Sequence, residues 1–358
     1  MTRTVFLGSP EIALPSLRAL AEASAQSSAR ASAPSTREQP HVNLVGVVAQ
    51  PARPVGRKRR MQPCPVQAEA EALGLPVFTP EKVRDPAALE RLRAWEPELM
   101  IVCAYGQLFP EALLDMPPLG CFNLHFSLLP RWRGASPVQA ALLSGDAVTG
   151  VSLQKMVLEL DAGAIAADSG ALTIAPEDTA GSLGGRLGVA AAELLMKTLP
   201  LLAGGDPPLH PQSLEGITHC RTIKKGQGAV DFAAETAVDI ERKCRAYTPW
   251  PGAFAYLDAR RIGLNRVTLA QPPEVQPAVA QPPDAQHPEA QHPEAQPRKD
   301  SPANPGQLRA DGLVACREGW LRIETLTPEG KAAMDFRAFL NGNPAAVGKT
   351  FLPGPGTS

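Results

Sequence analysis

None of the six cysteines (Cys64, Cys103, Cys121, Cys220, Cys244 and Cys316) stands in a Cys-x-x-Cys pair. Such scatter argues against a zinc ribbon or a dithiol redox centre, and points to reduced thiols in a cytoplasmic protein. Strong charge of either sign is missing too. The formal net charge is −1, which excludes a generally basic nucleic-acid coat and leaves any nucleic-acid contact to a local patch. No run is long and apolar enough to span a bilayer, and the opening MTRTVFLGSPEIALPSL enters a strand-like run without a leader's long apolar stretch. A soluble, cytoplasmic protein with no membrane partner is expected. Also absent are G-x-S-x-G, H-E-x-x-H, G-x-x-x-x-G-K-[ST] and G-x-G-x-x-G. Nucleophile-elbow, zinc, ATP and NAD chemistry therefore lack support, and no metal ion is expected.

What is present is an ordinary globular composition, 44% apolar and 20% charged over 358 residues, long enough for two domains. Strand-like runs fall at 4–8, 42–49, 75–78, 98–104 and 121–125, with helical patterns at 13–23, 65–73 and 86–95 between them. Near-continuous apolar strands alternating with helices predict an α/β domain whose parallel sheet is covered on both faces. Ligands bind such sheets beyond the strands' carboxyl ends, a rim that takes in Gly8, Tyr105 and His125. VSLQKMV (151–157) alternates like a half-buried strand before a turn at LDAG, and a helix at about 179–203 closes the domain. The expected boundaries are a first domain over 1–205, a linker over 206–217 and a second domain over 218–358. The second carries short strands, Gly/Pro turns and one helix at 236–246, consistent with a small β-barrel. Two segments read as insertions: the Ser/Ala-rich 24–40, and 270–300, whose proline-rich pentads over 270–297 have little to bury. His287 and His292 in that tract are solvated spacers rather than metal ligands.

The chemistry-bearing residues lie in CFNLHFSLLPRWRG (121–134) and in the LDAG turn. Asn123 and His125 are two apart on a strand and share a face. With Asp161 they supply an amide donor, an imidazole and a carboxylate, a set suited to acyl transfer onto an amine without a protein nucleophile. Attack on a formamide carbon builds a negative oxygen, which the Asn123 N–H and a protonated His125 would stabilise. Asp161 would favour the charged imidazole, hold its orientation and help manage the proton leaving the amine. Taken singly, Asn123 and His125 would merely satisfy strand-end backbone groups, and Asp161 would form a turn before Gly163. Ser127 lacks a nucleophile elbow and reads as a turn former.

These residues carry a resemblance. NLHFSLLPRWRGASPVQAALLSGDAVTGVSLQKMVLELDAG (123–163) is similar to the signature of the folate-dependent formyltransferases. Within that superfamily the chain resembles the methionyl-tRNA formyltransferase family from end to end. LGSPEIALPSL at the start, QPARPVGRKRRMQPCPVQAEA (50–70), VCAYGQLFP (102–110), RTIKKGQGAVDF (221–232), CRAYTPWPGAF (244–254) and GKAAMDFRAFLNG (330–342) extend the match. The resemblance implies a Rossmann-like formyltransferase domain followed by a small OB-like β-barrel domain that binds tRNA. It places Asn123, His125 and Asp161 at the catalytic positions. Ser127, Leu128, Leu129 and Pro130 fall on the tetrahydrofolate-binding stretch, and Tyr105, Gly106, Gln107 and Leu108 on the loop lining the pterin pocket. The implied co-substrate is 10-formyltetrahydrofolate and the implied acceptor methionyl-initiator tRNA, with the protein a monomer. Three positions depart from the pattern: Phe126 where glycine is common, Ala164 where an acid often follows, and Ile12 where phenylalanine is usual. The last bears on packing around the methionyl side chain.

RPVGRKRR (53–60) gathers Arg53, Arg57, Lys58, Arg59 and Arg60 in one loop, with no Asp or Glu from 39 to 68. Such a run by itself is a solvated loop. Following the second strand, it is placed to grip acceptor-stem phosphates, and binding should weaken steeply with salt. Arg53 and Arg57 belong to the family pattern R-P-x-G-R. Lys224, Lys225, Arg242, Lys243 and Arg245 are further candidate tRNA contacts, and Trp250, between two prolines, reads as a packed anchor. Two rivals stand beside this reading. One is a folate-dependent formyltransferase acting on an amino-sugar nucleotide or glycinamide ribonucleotide; the other is a catalytically silent tRNA-binding protein.

Overall fold

A computed structural model describes residues 1–29, 42–56, 59–273 and 304–354. They divide into two compact units, Met1–Lys224 and Lys225–Ser358.

The first unit is built on seven strands: β1 (Thr2–Gly8), β2 (Val42–Val48), β3 (Val77–Phe78), β4 (Leu99–Cys103), β5 (Cys121–His125), β6 (Ser152–Lys155) and β7 (Ile165–Asp168). Their spatial order is β7-β6-β5-β4-β1-β2-β3. The run from β5 to β3 is parallel, whereas β6 and β7 are antiparallel additions at one edge. Helices α1 (Leu14–Ala29), α2 (Pro65–Ala72), α3 (Pro86–Arg93), α4 (Pro137–Ser144) and α5 (Ala180–Ala203) complete the unit. Every residue of β4, LMIVC, is buried, which is what a strand covered on both faces requires. The order reverses between β1 and β4, so the crevice beyond Gly8 and Cys103 is the switch point at which such sheets bind ligands.

Two expectations change here. The helix α1 runs on through residues 24–29, the part of the expected 24–40 insertion that is described. Ser24 and Ser27 accept hydrogen bonds from the Leu44 and Val42 N–H groups, so the Ser/Ala run docks on the start of β2 instead of looping away. The expected linker 206–217 is also part of the first unit. His210 exchanges both backbone hydrogen bonds with Ile165, at 2.8 and 2.9 Å, and His219–Cys220 pairs in parallel with Arg133–Gly134. Extended backbone donors and acceptors found partners that composition could not reveal. Most of the 270–300 insertion, with His287 and His292, lies outside the described residues.

In the second unit α6 (Ala237–Ala246) starts with a capping box between Thr236 and Asp239. Strands β8 (Ala253–Leu257), β9 (Arg260–Ala270), β10 (Leu313–Ala315) and β11 (Trp320–Pro328) pair antiparallel in the order β8-β9-β11-β10, and Met334–Asp335 adds to β11. Register shifts on either side of Arg266 curl the sheet around a core containing Phe232, Ile240, Leu264, Ile323 and Phe351. A curled antiparallel sheet is in keeping with the small OB-like β-barrel expected. Trp250 departs from expectation: its side chain is 55% exposed, not packed as an anchor. Lys243 and Arg245 pair with Glu235 and Glu241, so neither presents an uncompensated charge.

Among the described residues no helix is long and apolar enough to cross a membrane, and no cluster of His, Cys, Asp and Glu could hold a metal ion. Burial pushes the thiols of Cys103, Cys121, Cys244 and Cys316 up to about 12. Each holds its proton more tightly folded than unfolded. The stability they contribute is therefore full below the ordinary thiol value of about 8.5 and is lost as pH rises toward the folded value. Alkylation of the native protein should reach the half-buried Cys64 and Cys220 first, and the urea midpoint should decline above about pH 8.5. Equal labelling of all six thiols in the folded protein would contradict this burial.

Candidate active site

The site sits at the carboxyl end of β5, where period-2 alternation puts Asn123 and His125 on one face. The antiparallel neighbour β6 is registered with Gln154 opposite Asn123 and Ser152 opposite His125. After β6 the chain turns through the LDAG segment. Asp161 adopts a left-handed backbone with φ +54°, a conformation Asp tolerates better than most residues. Gly163 is required there, because a Cβ would stand 1.7 Å from the Lys155 carbonyl oxygen.

The structure brings together the three residues expected to be catalytic. His125 Nδ1 faces Asp161 Oδ1 at 3.5 Å, and the two side chains are only 5% and 7% exposed. Asn123 Nδ2 lies 3.4 Å from the same carboxylate oxygen. Shorter contacts to Asp161 come from groups sequence reasoning missed: Gln154 Nε2 donates to Oδ1 at 2.7 Å and the Gly134 N–H to Oδ2 at 2.8 Å. His125 Nε2 meets the Trp132 carbonyl oxygen at 2.9 Å. Each ring nitrogen thus faces an oxygen atom.

That carbonyl is held in place by its own residue's contacts. Trp132 has φ +62°, its N–H donates to Thr218 Oγ1 at 2.8 Å, and its indole N–H donates to Asp146 at 2.7 Å. Arg131 stacks over the indole and donates two hydrogen bonds to Asp146, at 2.8 and 2.5 Å. Burial alone would raise the Asp146 carboxyl. The hydrogen bonds from Arg131 and Trp132 outweigh it and hold the group below the usual carboxylate range.

Two hollows lie on this unit, one lined by Asp161 itself and the other by Phe126, the chain neighbour of His125. A cavity of about 170 Å³ is lined by Gln107, Leu108, Phe109, Gln154, Met156 and Asp161, among others, and Leu108, Leu158 and Leu160 present exposed apolar side chains around it. A cleft of about 570 Å³ is lined by Pro10, Ile12, Ala104, Phe126, Ser136 and Gly184, among others. Two of the three departures from the family pattern, Ile12 and Phe126, therefore face the same cleft.

The expected folate residues separate into three groups. Gln107 and Leu108 line the smaller cavity, although the Gln107 amide is tied to Val83 N–H and the Pro80 carbonyl. Gly106 makes the exposed turn before them with φ +81°. Tyr105 is 2% exposed in the core, and its hydroxyl has no hydrogen-bond partner among the described residues. Ser127, Leu128, Leu129 and Pro130 line neither hollow; they carry the chain from His125 to Trp132. Ser127 Oγ donates to the Arg131 carbonyl, while Ser152 Oγ accepts from Leu129 N–H and donates to the Ser127 carbonyl.

Of the basic run, Arg53 and Arg60 lie on an exposed hairpin, Arg53–Val55 with Arg60–Gln62, and Arg59 in its turn; Arg57 and Lys58 lie outside the described residues. The hairpin leaves the carboxyl end of β2, the sheet edge shared with His125. Arg53 is paired with Glu81 at 2.9 Å across exposed side chains.

Gln154 could have been noticed from the alternation in SLQK, which puts it on one face with Ser152. Nothing local marks Gln212, whose side chain reaches Asp161 from the expected linker.

Comparison with known proteins places these features in a wider set. Residues 20–199 match the model of the formyl transferase family, and residues 222–344 match its C-terminal domain. The chain is 38% identical over 344 residues to the methionyl-tRNA formyltransferase of Xanthomonas axonopodis pv. citri, covering 95% of this chain and 97% of the relative. It is 35% identical over 358 residues to the methionyl-tRNA formyltransferase of Symbiobacterium thermophilum, covering 99% and 96%. Among solved structures, HypX from Aquifex aeolicus in complex with tetrahydrofolic acid is similar in fold, with a TM-score of 0.53, 16% identity and coverage of 78% of this chain and 44% of that one.

Proposed function

The chain belongs to the formyl transferase family, and from that premise we propose that it transfers the formyl group of 10-formyltetrahydrofolate to the free amino group of methionyl-initiator tRNA. The product is N-formylmethionyl-tRNA for translation initiation. The observation that carries this reading is the convergence of Asn123, His125 and Asp161, the last lining a cavity, in a chain similar along its whole length to methionyl-tRNA formyltransferases. A folate-type co-substrate follows from the family. The smaller cavity, with its apolar walls and the Gln154 amide, suits a planar heterocycle, and the larger cleft suits the aminoacyl end of the tRNA.

In the reaction the α-amino group attacks as the neutral amine, which is well populated because such groups titrate at roughly 7.7–8.0. Its lone pair bonds to the formyl carbon, and the carbonyl electrons move onto oxygen. Asn123 N–H stabilises that oxygen, and the His125 Nε2–H joins it by turning from the Trp132 carbonyl, with Asp161 holding Nδ1. Collapse of the intermediate breaks the bond from the formyl carbon to the folate nitrogen. The proton released by the attacking amine ends on that nitrogen, with Asp161 and His125 assisting its passage.

A small-amine acceptor would need neither the C-terminal unit nor the basic hairpin. The test is formyl transfer from 10-formyltetrahydrofolate to methionyl-initiator tRNA, with glycinamide ribonucleotide and an amino-sugar nucleotide in parallel. Transfer confined to the small amines would discard the tRNA reading and keep the chemistry. The six free thiols fit a cytoplasmic protein, and the expected monomer is tested by gel filtration of the purified protein.

The cations of residues 53–60 are read as phosphate contacts. Joint replacement of Arg57, Lys58 and Arg59 by alanine should weaken tRNA binding at low salt and flatten the log–log salt dependence by roughly 0.7–0.9 per cation removed. Arg53→Ala should have the smaller effect, since Glu81 already offsets its charge. An unchanged salt slope would return the run to a solvated loop.

A further inference from the structure

We propose that Gln212 is a positioning residue of the formyl-transfer site, holding the Asp161 turn so that its carboxylate faces His125. The residue comes from the segment expected to be a linker. Its amide nitrogen donates to the Asp161 carbonyl oxygen and to the Gly163 carbonyl oxygen, each at 2.8 Å. Both protons are thereby used on the two carbonyls that bracket the left-handed turn. Its amide oxygen accepts from Arg133 Nε at 3.0 Å and Arg133 Nη2 at 2.8 Å. A guanidinium can only donate, so Arg133 fixes which end of the amide is oxygen and leaves the nitrogen aimed at the turn.

Arg133 is itself only 7% exposed, and its chain neighbour Gly134 gives its N–H to Asp161 Oδ2. Gln154 adds a third support. Its amide oxygen lies 3.4 Å from Gln212 Nε2, and its amide nitrogen donates to Asp161 Oδ1 at 2.7 Å. The hydrogen-bond direction is therefore continuous from Arg133 through Gln212 to the turn, while Gln154 separately donates to the carboxylate oxygen that faces His125. Backbone in the left-handed region persists where its surroundings over-determine it, and here two carbonyl contacts do so.

Gln212→Glu isolates this role. Glutamate keeps the volume and the contact with Arg133 but places a charged acceptor against the two carbonyls. The expected result is a kcat lower by about 10-fold to 10²-fold, because displacements near 1 Å cost that much, with KM for both substrates within about twofold. In an Asp161→Asn background the same substitution should cost less than about twofold more, since the group it positions has lost its charge. Gln212→Ala gives an independent measure of the lost donors.

Full kcat in Gln212→Glu overturns the proposal. So does an undiminished penalty in the Asp161→Asn background, or failure of the glutamate variant to fold, which would make the role structural. The proposal rests on the formyl-transfer reading, and the two fail differently. Full activity in Asp161→Asn defeats that reading. Loss in Asp161→Asn with a harmless Gln212→Glu defeats this proposal alone.

Discussion

Replacement of His125 by alanine should lower kcat for formyl transfer by about 10²–10³-fold while leaving tRNA affinity within about twofold. The size follows from what the ring supplies. It sits at the end of β5, 5% exposed, with Nδ1 toward Asp161 and Nε2 toward the Trp132 carbonyl. On the proposed mechanism the Nε2–H leaves that carbonyl for the developing oxyanion, and removing such a donor from a shielded site costs about 2.7–4 kcal/mol. The affinity for tRNA is expected to survive, since the phosphate contacts are read on the basic run over 53–60 and not on the buried His125. The measurements are kcat and KM at saturating folate, with tRNA affinity by filter binding. A variant that turns over at the normal rate would remove the mechanism; one that loses tRNA binding in proportion would recast His125 as part of the acceptor cleft.

Gly134→Ala should be nearly as damaging, for a different physical reason. Gly134 has φ +121°, and a Cβ there would stand 2.1 Å from the Cys220 carbonyl oxygen. Both the backbone conformation and the close approach therefore demand glycine. Relief can come only by moving the paired His219–Cys220 segment or by shifting Gly134, whose N–H holds Asp161 Oδ2 at 2.8 Å. We expect a loss of stability of about 2–4 kcal/mol from backbone strain and displaced packing. The misplaced carboxylate should lower kcat by about 10²-fold. Urea unfolding followed alongside kcat checks both. Wild-type values for the two together would mean that the 133–134 and 219–220 strands are not held in the register described.

How far the sequence reached depended on whether a feature was local. The pair Asn123 and His125 was legible because strand periodicity fixes a shared face whatever the partners are. The α/β character of the first unit was legible because β1, β2 and β4 are near-continuous apolar runs, which only a doubly covered sheet accommodates. Asp161 was reached through chemistry and family pattern, and the turn at LDAG prepared its conformation. Depth was another matter. Tyr105 and Trp250 are both large aromatics in loops, and composition could not say that the first would be buried and the second exposed.

Local chain chemistry, then, determined the strands, the turn glycines and the residue types available for formyl transfer. It did so because periodicity and steric demands act within a few residues of one another. Tertiary structure alone decided which distant groups hold that chemistry in place. The register of β5 against β6 set Gln154 opposite Asn123, and the docking of residues 206–224 brought Gln212 and Thr218 to the site. Those contacts depend on non-local pairing of buried donors with acceptors, and a polar side chain carries no mark of its future partner until the chain has folded around it.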